Sequence, residues 1–220
     1  MSLVSIAIAP VFILLLYIYL RDKYEKEPFI IMALALAGGC FITWPVIYVE
    51  RFISMGSMAF PGYWNVGYTA FMEAALTEEV FKFLAFMVLI WGNRNFNEKF
   101  DGIVYAVFIS LGFALIENLL YVFNQGFNVG IIRAVTAVPA HAVFGIVMGY
   151  HLGLAKFYPS RRAWRLLLAL IHPILLHGVY DFILMSGHEL FMLLFIPYLV
   201  FLWVYGLRRM KYLSDRSIFK

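Results

Sequence analysis

The run YTAFMEAALTEEVFKFLAFMVLIW, residues Tyr68 to Trp91, decides how this chain is read. At ~1.5 Å per residue it is long enough to cross a hydrocarbon core as a helix. Yet Glu78 and Glu79 lie near its middle, with Lys82 one turn on. Each charged group placed at that depth costs at least a few kcal/mol of insertion free energy. A chain that accepts this cost marks both a membrane setting and a polar centre inside it.

The rest of the sequence has the same character. Hydrophobic residues make up 64% and charged residues 14%, against roughly 45–50% and about 25% in soluble domains, and the mean hydropathy is +0.85. Seven long apolar segments run from Leu3 to Leu20, Phe29 to Val49, Tyr68 to Trp91, Gly102 to Phe123, Val129 to Ala155, Trp164 to Ser186 and Leu190 to Leu207. Each is too long for a core strand, and their Gly and Pro residues are tolerated within membranes. The expectation is an all-α, polytopic bundle of about seven transmembrane helices in the cell membrane, with residues 1–220 forming one domain.

Charge gives the expected orientation. Arg21, Lys23 and Lys26 follow the first segment, Arg94 and Lys99 the third, and Lys156, Arg161, Arg162 and Arg165 the fifth, while Arg208, Arg209, Lys211, Arg216 and Lys220 fill the tail. The positive-inside rule then places the N-terminus outside and the C-terminus in the cytoplasm. The net charge of +4 needs no nucleic acid, since these residues meet anionic lipid. Met1-Ser2-Leu3-Val4 lacks the positive region of a secretory signal, so the first helix is expected to remain. Cys40 is the only cysteine, which excludes an internal disulfide.

Polar residues within the segments carry the function. The acids are Glu73, Glu78, Glu79, Glu117 and Asp181, and the deepest histidines are His141, His172 and His177, all on segments three to six. Segments one and two contribute none and read as scaffold. Converted to depth, Glu78, Glu79, His141, Glu117, His177 and Asp181 share a slab from the midplane into the outer leaflet. Glu78 and Glu79 point ~100° apart on a helix, so one is expected to meet the reacting group while the other holds a neighbour. His177 and Asp181 stack at i, i+4, where the carboxylate orients the ring. His141, Gly145, Gly149 and Gly153 form a stripe that admits another helix closely, and Pro139 and Pro173 each free a backbone carbonyl near a histidine. His172 reads as a packing residue, His151 and His188 as helix-end residues, and Glu73 and Arg133 as groups near the outer interface.

A carboxylate beside a neutral imidazole can hold a water, take its proton and direct it at an amide carbonyl, while a second imidazole stabilises the oxyanion. The chain has no Gly-x-Ser-x-Gly elbow and no His-Glu-x-x-His, which removes support from serine and zincin-type proteases.

Four motifs carry a resemblance: Glu78-Glu79-x-x-Lys82; Ser110-Leu111-Gly112-Phe113-Ala114 with Glu117-Asn118; His141-Ala142-x-x-Gly145; and His177-Gly178-x-Tyr180-Asp181-Phe182. In this order, with Leu20-Arg21-Asp22-Lys23-Tyr24 and Glu27-Pro28 in the first connection, the chain resembles the PrsW intramembrane proteases, relatives of the CAAX prenyl endopeptidase and bacteriocin-immunity superfamily. Asp181 stands where that superfamily carries Asn or a similar polar residue, and Lys82 where many relatives carry Arg. An ionised carboxylate only accepts hydrogen bonds, so Asp181 is expected to orient His177.

The resemblance implies a glutamate-type protease making the first, extracytoplasmic-side cut in a single-pass anti-sigma factor. The expected roles are Glu78 or Glu79 as general base, His141 positioning the water, and His177 stabilising the oxyanion with Asp181 behind it. Lys82, Glu117 and Asn118 are expected to support this group. No cofactor is expected, with zinc held by Glu78, Glu79, His141 and His177 as the alternative. Two other functions compete: a small proton- or cation-coupled transporter, whose polar residues should run from face to face, and a non-catalytic membrane scaffold.

Overall fold

Ser2 starts the first helix by capping it, its hydroxyl accepting the Ser5 amide at 3.2 Å, in a computed structural model that describes residues 2–220. From this cap α1 (Leu3–Arg21) runs without a charge to its last residue, and α2 (Phe29–Ser54) follows Pro28. A single turn at Met55–Ala59 leads to α3 (Tyr63–Tyr68), a π-helical stretch (Thr69–Leu76) and α4 (Thr77–Leu89), three pieces of one rod. Then come α5 (Asp101–Gln125), α6 (Phe127–Val135), α7 (Ala137–Phe157), α8 (Arg162–Met185) and α9 (Glu189–Ser214). Among the described residues there is no strand.

Among the described residues, six spans, with α6 and α7 taken together, are long and apolar enough to cross a membrane by length and composition. The Tyr63–Leu89 rod is as long as these, and the charges of Glu73, Glu78, Glu79 and Lys82 set it apart.

Two departures from expectation bear on the site. The fifth segment is not one helix: it breaks at Thr136 (φ −121°, ψ −73°). Pro139 explains the break, because its ring would collide with the Val135 carbonyl in a continuous helix, whereas in the first turn of α7 its missing N–H costs nothing. The second segment extends past Val49 to Ser54, which keeps Glu50 inside α2.

At the centre lies α5, against α7, α2 and α1, with every residue from Asp101 to Ala114 buried. In α7 every residue from Ala137 to Ala155 is buried. Large apolar residues such as Phe12, Ile13, Phe41, Trp44, Leu193 and Ile196 instead face outward on α1, α2 and α9, as lipid-facing surfaces must. The glycine stripe of α7 meets α5 as expected: a Cβ at Gly149 would lie 2.6 Å from the Ile103 Cα, and one at Gly102 2.8 Å from the Gly153 nitrogen. Only glycine permits this backbone approach.

The first connection is clamped to α5 at the opposite end from the Gly126 turn. Glu27 accepts the Tyr105 hydroxyl, Asp22 accepts the Glu27 amide, and Asp101 accepts the amides of Asn97 and Glu98 at 2.8 and 2.7 Å. Burial pushes the Glu27 carboxyl up from 4.5 to about 7 and that of Asp22 up from 3.8 to about 6. The native state therefore keeps protons that the unfolded chain has already lost, so stability falls as pH rises through the window from 4.5 to about 7. Replacing Glu27 by Gln keeps an acceptor for Tyr105 and removes the titration. Thermal unfolding compared at pH 5 and pH 8 should show a decline on the order of 2 kcal/mol in the parent. The decline should be smaller in Glu27→Gln; equal slopes would refute the assignment.

Candidate active site

Glu78 and Glu79 open α4 directly after the π-helical stretch, a wide turn often found at functional positions. Although consecutive residues diverge on a helix, these long side chains converge on one cation. The Lys82 ammonium donates to Glu78 Oε2 at 2.9 Å and to Glu79 Oε1 at 2.8 Å, and lies 3.2 Å from His141 Nδ1. It also sits 4.4 Å from the centre of the Phe113 ring. Lys82 is thus a direct partner of the acids and of the histidine, closer in than a supporting role implies.

The network fixes the His141 tautomer. An ammonium only donates, so Nδ1 accepts, and the proton lies on Nε2, which donates to Glu117 Oε2 at 2.9 Å. Ser110 holds the same residue by its backbone, its hydroxyl donating to the His141 carbonyl at 2.7 Å. His177 comes from α8 and stacks on Phe144 at 4.7 Å. Its Nδ1 lies 3.1 Å from Glu79 Oε1, and its Nε2 3.2 Å from Asp181 Oδ2. Each imidazole therefore has a carboxylate behind it and turns its other nitrogen toward Glu78 and Glu79.

Five residues expected to act, Glu78, Glu79, His141, His177 and Asp181, are brought together from α4, α7 and α8. Glu117 joins them through His141. Asn118 does not: its amide donates to the Ala7 carbonyl at 2.9 Å and its oxygen accepts from Arg133 Nε at 3.0 Å, tying α1, α5 and α6 together. His172 and His151 lie elsewhere, 2.9 Å apart as a pair, with His151 buried in α7 rather than free at a helix end. His188 caps α9, where its Nδ1 accepts the Leu190 amide.

Glu78, His141, His177 and Asp181 line a cavity of about 460 Å³, walled also by Phe113, Phe144 and Ile132. Glu79 and Lys82 sit behind it, 0% and 1% exposed. The cavity runs past Glu73, Leu184 and Met185, toward the end of the bundle that carries the Met55–Ala59, Gly126 and Gly187 connections. Two wall residues correct the sequence reading. Glu50 shows that α2 is more than scaffold. Arg133, expected near the interface, pairs with Glu117 at 2.8 Å. The signal for Arg133 was Pro139, which breaks the helix and turns α6 inward.

Four carboxylates, Glu78, Glu79, Glu117 and Asp181, thus meet two permanent cations, Lys82 and Arg133. The deficit favours further positive charge in the cluster, because unbalanced buried charge is costly, and His177, with a carboxylate at each ring nitrogen, supplies part of it as an imidazolium. The ligand atoms of Glu78, Glu79, His141 and His177 all lie within 4.8 Å of one another, and Glu79 Oε2 is buried without a partner. This donor set matches a divalent metal ion in kind, with two carboxylates and two imidazoles whose outward nitrogens are held by further carboxylates, and His141 Nδ1, which here accepts from the Lys82 ammonium, could join it once Lys82 turns away.

The sequence model of the family described as "PrsW family intramembrane metalloprotease" matches residues 27–206. Relatives named Protease PrsW align along almost their whole length. That of Oceanobacillus iheyensis is 40% identical over 99% of both chains. That of Clostridioides difficile is 38% identical over 99% of this chain and 93% of its own, and that of Bacillus subtilis 35% over 96% and 94%. No solved structure matches.

The Arg133–Glu117 pair yields a prediction. Arg133→Gln leaves the Glu117 carboxylate half-buried without its cation and should cost about 2–3 kcal/mol of stability. Adding Glu117→Gln removes the stranded charge and keeps an acceptor for His141 Nε2–H, so the double variant should recover at least about 1 kcal/mol. Unfolding of the four proteins of the cycle in detergent measures this; strict additivity would refute the coupling.

Proposed function

Because this chain belongs to the PrsW family of intramembrane proteases, we propose that it cuts a membrane-anchored substrate in the cavity beside Glu78, and that this substrate is a single-pass anti-sigma factor, cleaved first on the extracytoplasmic side. The carrying observation is the meeting of Glu78, His141 and His177 on one cavity wall, each imidazole fixed from behind by a carboxylate. The anti-sigma factor rests on the resemblance of the motifs, and the side of cleavage on the charge distribution together with the cavity's position toward the less basic end.

Glu78, the member of the acid pair that lines the cavity, is the general base. It takes a proton from the attacking water and returns it to the leaving amine. The Glu117 carboxylate holds His141 in the tautomer whose Nδ1 faces the cluster. Asp181 holds the ring of His177, which stabilises the oxyanion. Phe113, Phe144 and Ile132 limit water around the reacting groups.

A metal-assisted form of this reaction is supported by the charge deficit, the unpartnered Glu79 Oε2 and the carboxylate-backed imidazoles. His141, His177 and Glu79 would hold the ion, a three-ligand set that leaves Glu78 as base. Zinc held there would supply Lewis acidity for the carbonyl and the attacking water.

Glu78→Gln should lower cleavage of a membrane-anchored substrate about 10²–10⁴-fold with folding and metal content unchanged. Glu79→Gln should lose metal and activity together. Elemental analysis beside a cleavage assay, before and after chelation, separates the readings. Stoichiometric absence of metal with full activity would leave the glutamate and histidine mechanism alone, and full cleavage by both Gln variants would remove the site itself.

A further inference from the structure

A second cavity lies at the other end of the bundle, about 280 Å³ in volume, between the ends of α7 and α9 and the start of α8. Four cations line it: Lys99, Arg161, Arg165 and Arg216. None of them forms a salt bridge among the described residues, and the lining includes no acid. The neighbouring Glu98 borders an adjoining hollow that Lys99 and Arg216 also line, with its carboxylate accepting the Ser217 hydroxyl at 2.6 Å.

Aromatic rings hold two of these cations in place. The Arg216 guanidinium lies 3.9 Å from the centre of the Tyr212 ring, and the Lys99 ammonium 5.2 Å from that of Tyr158. A cation over a ring face keeps its N–H groups free at the edge. Hydroxyls of Ser160 and Tyr158 belong to the same wall, and Arg209 donates to the Tyr150 hydroxyl behind it at 3.2 Å. Like charges gathered without a counterion repel one another, which favours an anion among them. Guanidinium forks and hydroxyls match the tetrahedral oxygens of phosphate.

Depth indicates the source of that phosphate. The pocket stands where membrane spans end, and Trp164, Tyr158 and Tyr212 are exposed around it at 58%, 48% and 42%, as in the aromatic belts of the membrane interface. We propose that this pocket binds a phosphate group, supplied by the headgroup of an anionic phospholipid in the leaflet it faces.

Native mass spectrometry of the purified protein in detergent tests this, with phosphatidylglycerol, phosphatidylcholine and inorganic phosphate titrated separately. Phosphatidylglycerol should be retained at least about tenfold better than phosphatidylcholine, and Arg165→Gln/Arg216→Gln should remove that advantage. Arg208→Gln/Lys211→Gln, on the same helix end but outside the pocket, should leave it intact. Arg216→Gln alone, at an exposed position, should show part of the loss even if the double variant folds poorly. Tight, variant-sensitive binding of inorganic phosphate with no preference for the anionic lipid would overturn the lipid source. Equal retention of the two lipids without phosphate binding, or equal loss in the control variant, would overturn the site.

Discussion

Lys82 is the charge on which the interior depends. Two carboxylates on successive residues of a buried helix would repel at close range in a medium that screens poorly. One ammonium between them, also touching His141, turns that repulsion into a bridge between α4 and α7. From there the bonding spreads outward: His141 to Glu117, Glu117 to Arg133, Arg133 to Asn118, and Asn118 to the backbone of α1. Glu79 carries it the other way to His177 and Asp181 on α8. The polar interior is one connected network, and each member relies on the next to stay neutralised.

Most of the helical plan was legible because hydrocarbon-length apolar runs have few other meanings, and α1 and α5 end close to where hydropathy places them. What escaped were features where one local residue outweighs the pattern. Pro139 splits a run that hydropathy reads as continuous, and the split brings in Arg133. Glu50 follows Val49 directly, so a boundary drawn at the last apolar residue discards an acid that faces the cavity. The π-helical turn before Glu78 has no compositional mark at all, though it precedes both glutamates. The partners of His177 and Asp181 were readable from i, i+4 spacing; those of Lys82 and Glu117 across helices were not, because spacing reports only neighbours on the same helix.

The two ends of the molecule divide its tasks. Toward the Gly126 and Gly187 turns the helices part to leave an acid-rich cavity, with Glu50 and Glu73 at its wall. At the other end, around the smaller cationic pocket, polar groups fasten the connections to the bundle: the first connection clamped by Glu27 and Tyr105, and Lys156 donating to the Trp91 carbonyl at 2.9 Å. A substrate backbone must leave its helical hydrogen bonds to be cut, and the carboxylates and imidazoles on this cavity's wall are where freed amide groups find partners within a bilayer.

The glycine contact between α5 and α7 has an electrical consequence. A chamber bearing acids and imidazoles that admits water from one side of a membrane sustaining a voltage would be half of a proton wire; each charge that crossed would dissipate about 2.3 kcal/mol per 100 mV. Below His141 the backbones of Gly102, Gly149 and Gly153 press together, and the buried face of α5 from Ile103 to Ile109 offers no charged side chain. There is no space in that seam for a file of water. Along the seam between α5 and α7, the smallest residues in the protein are therefore its insulation.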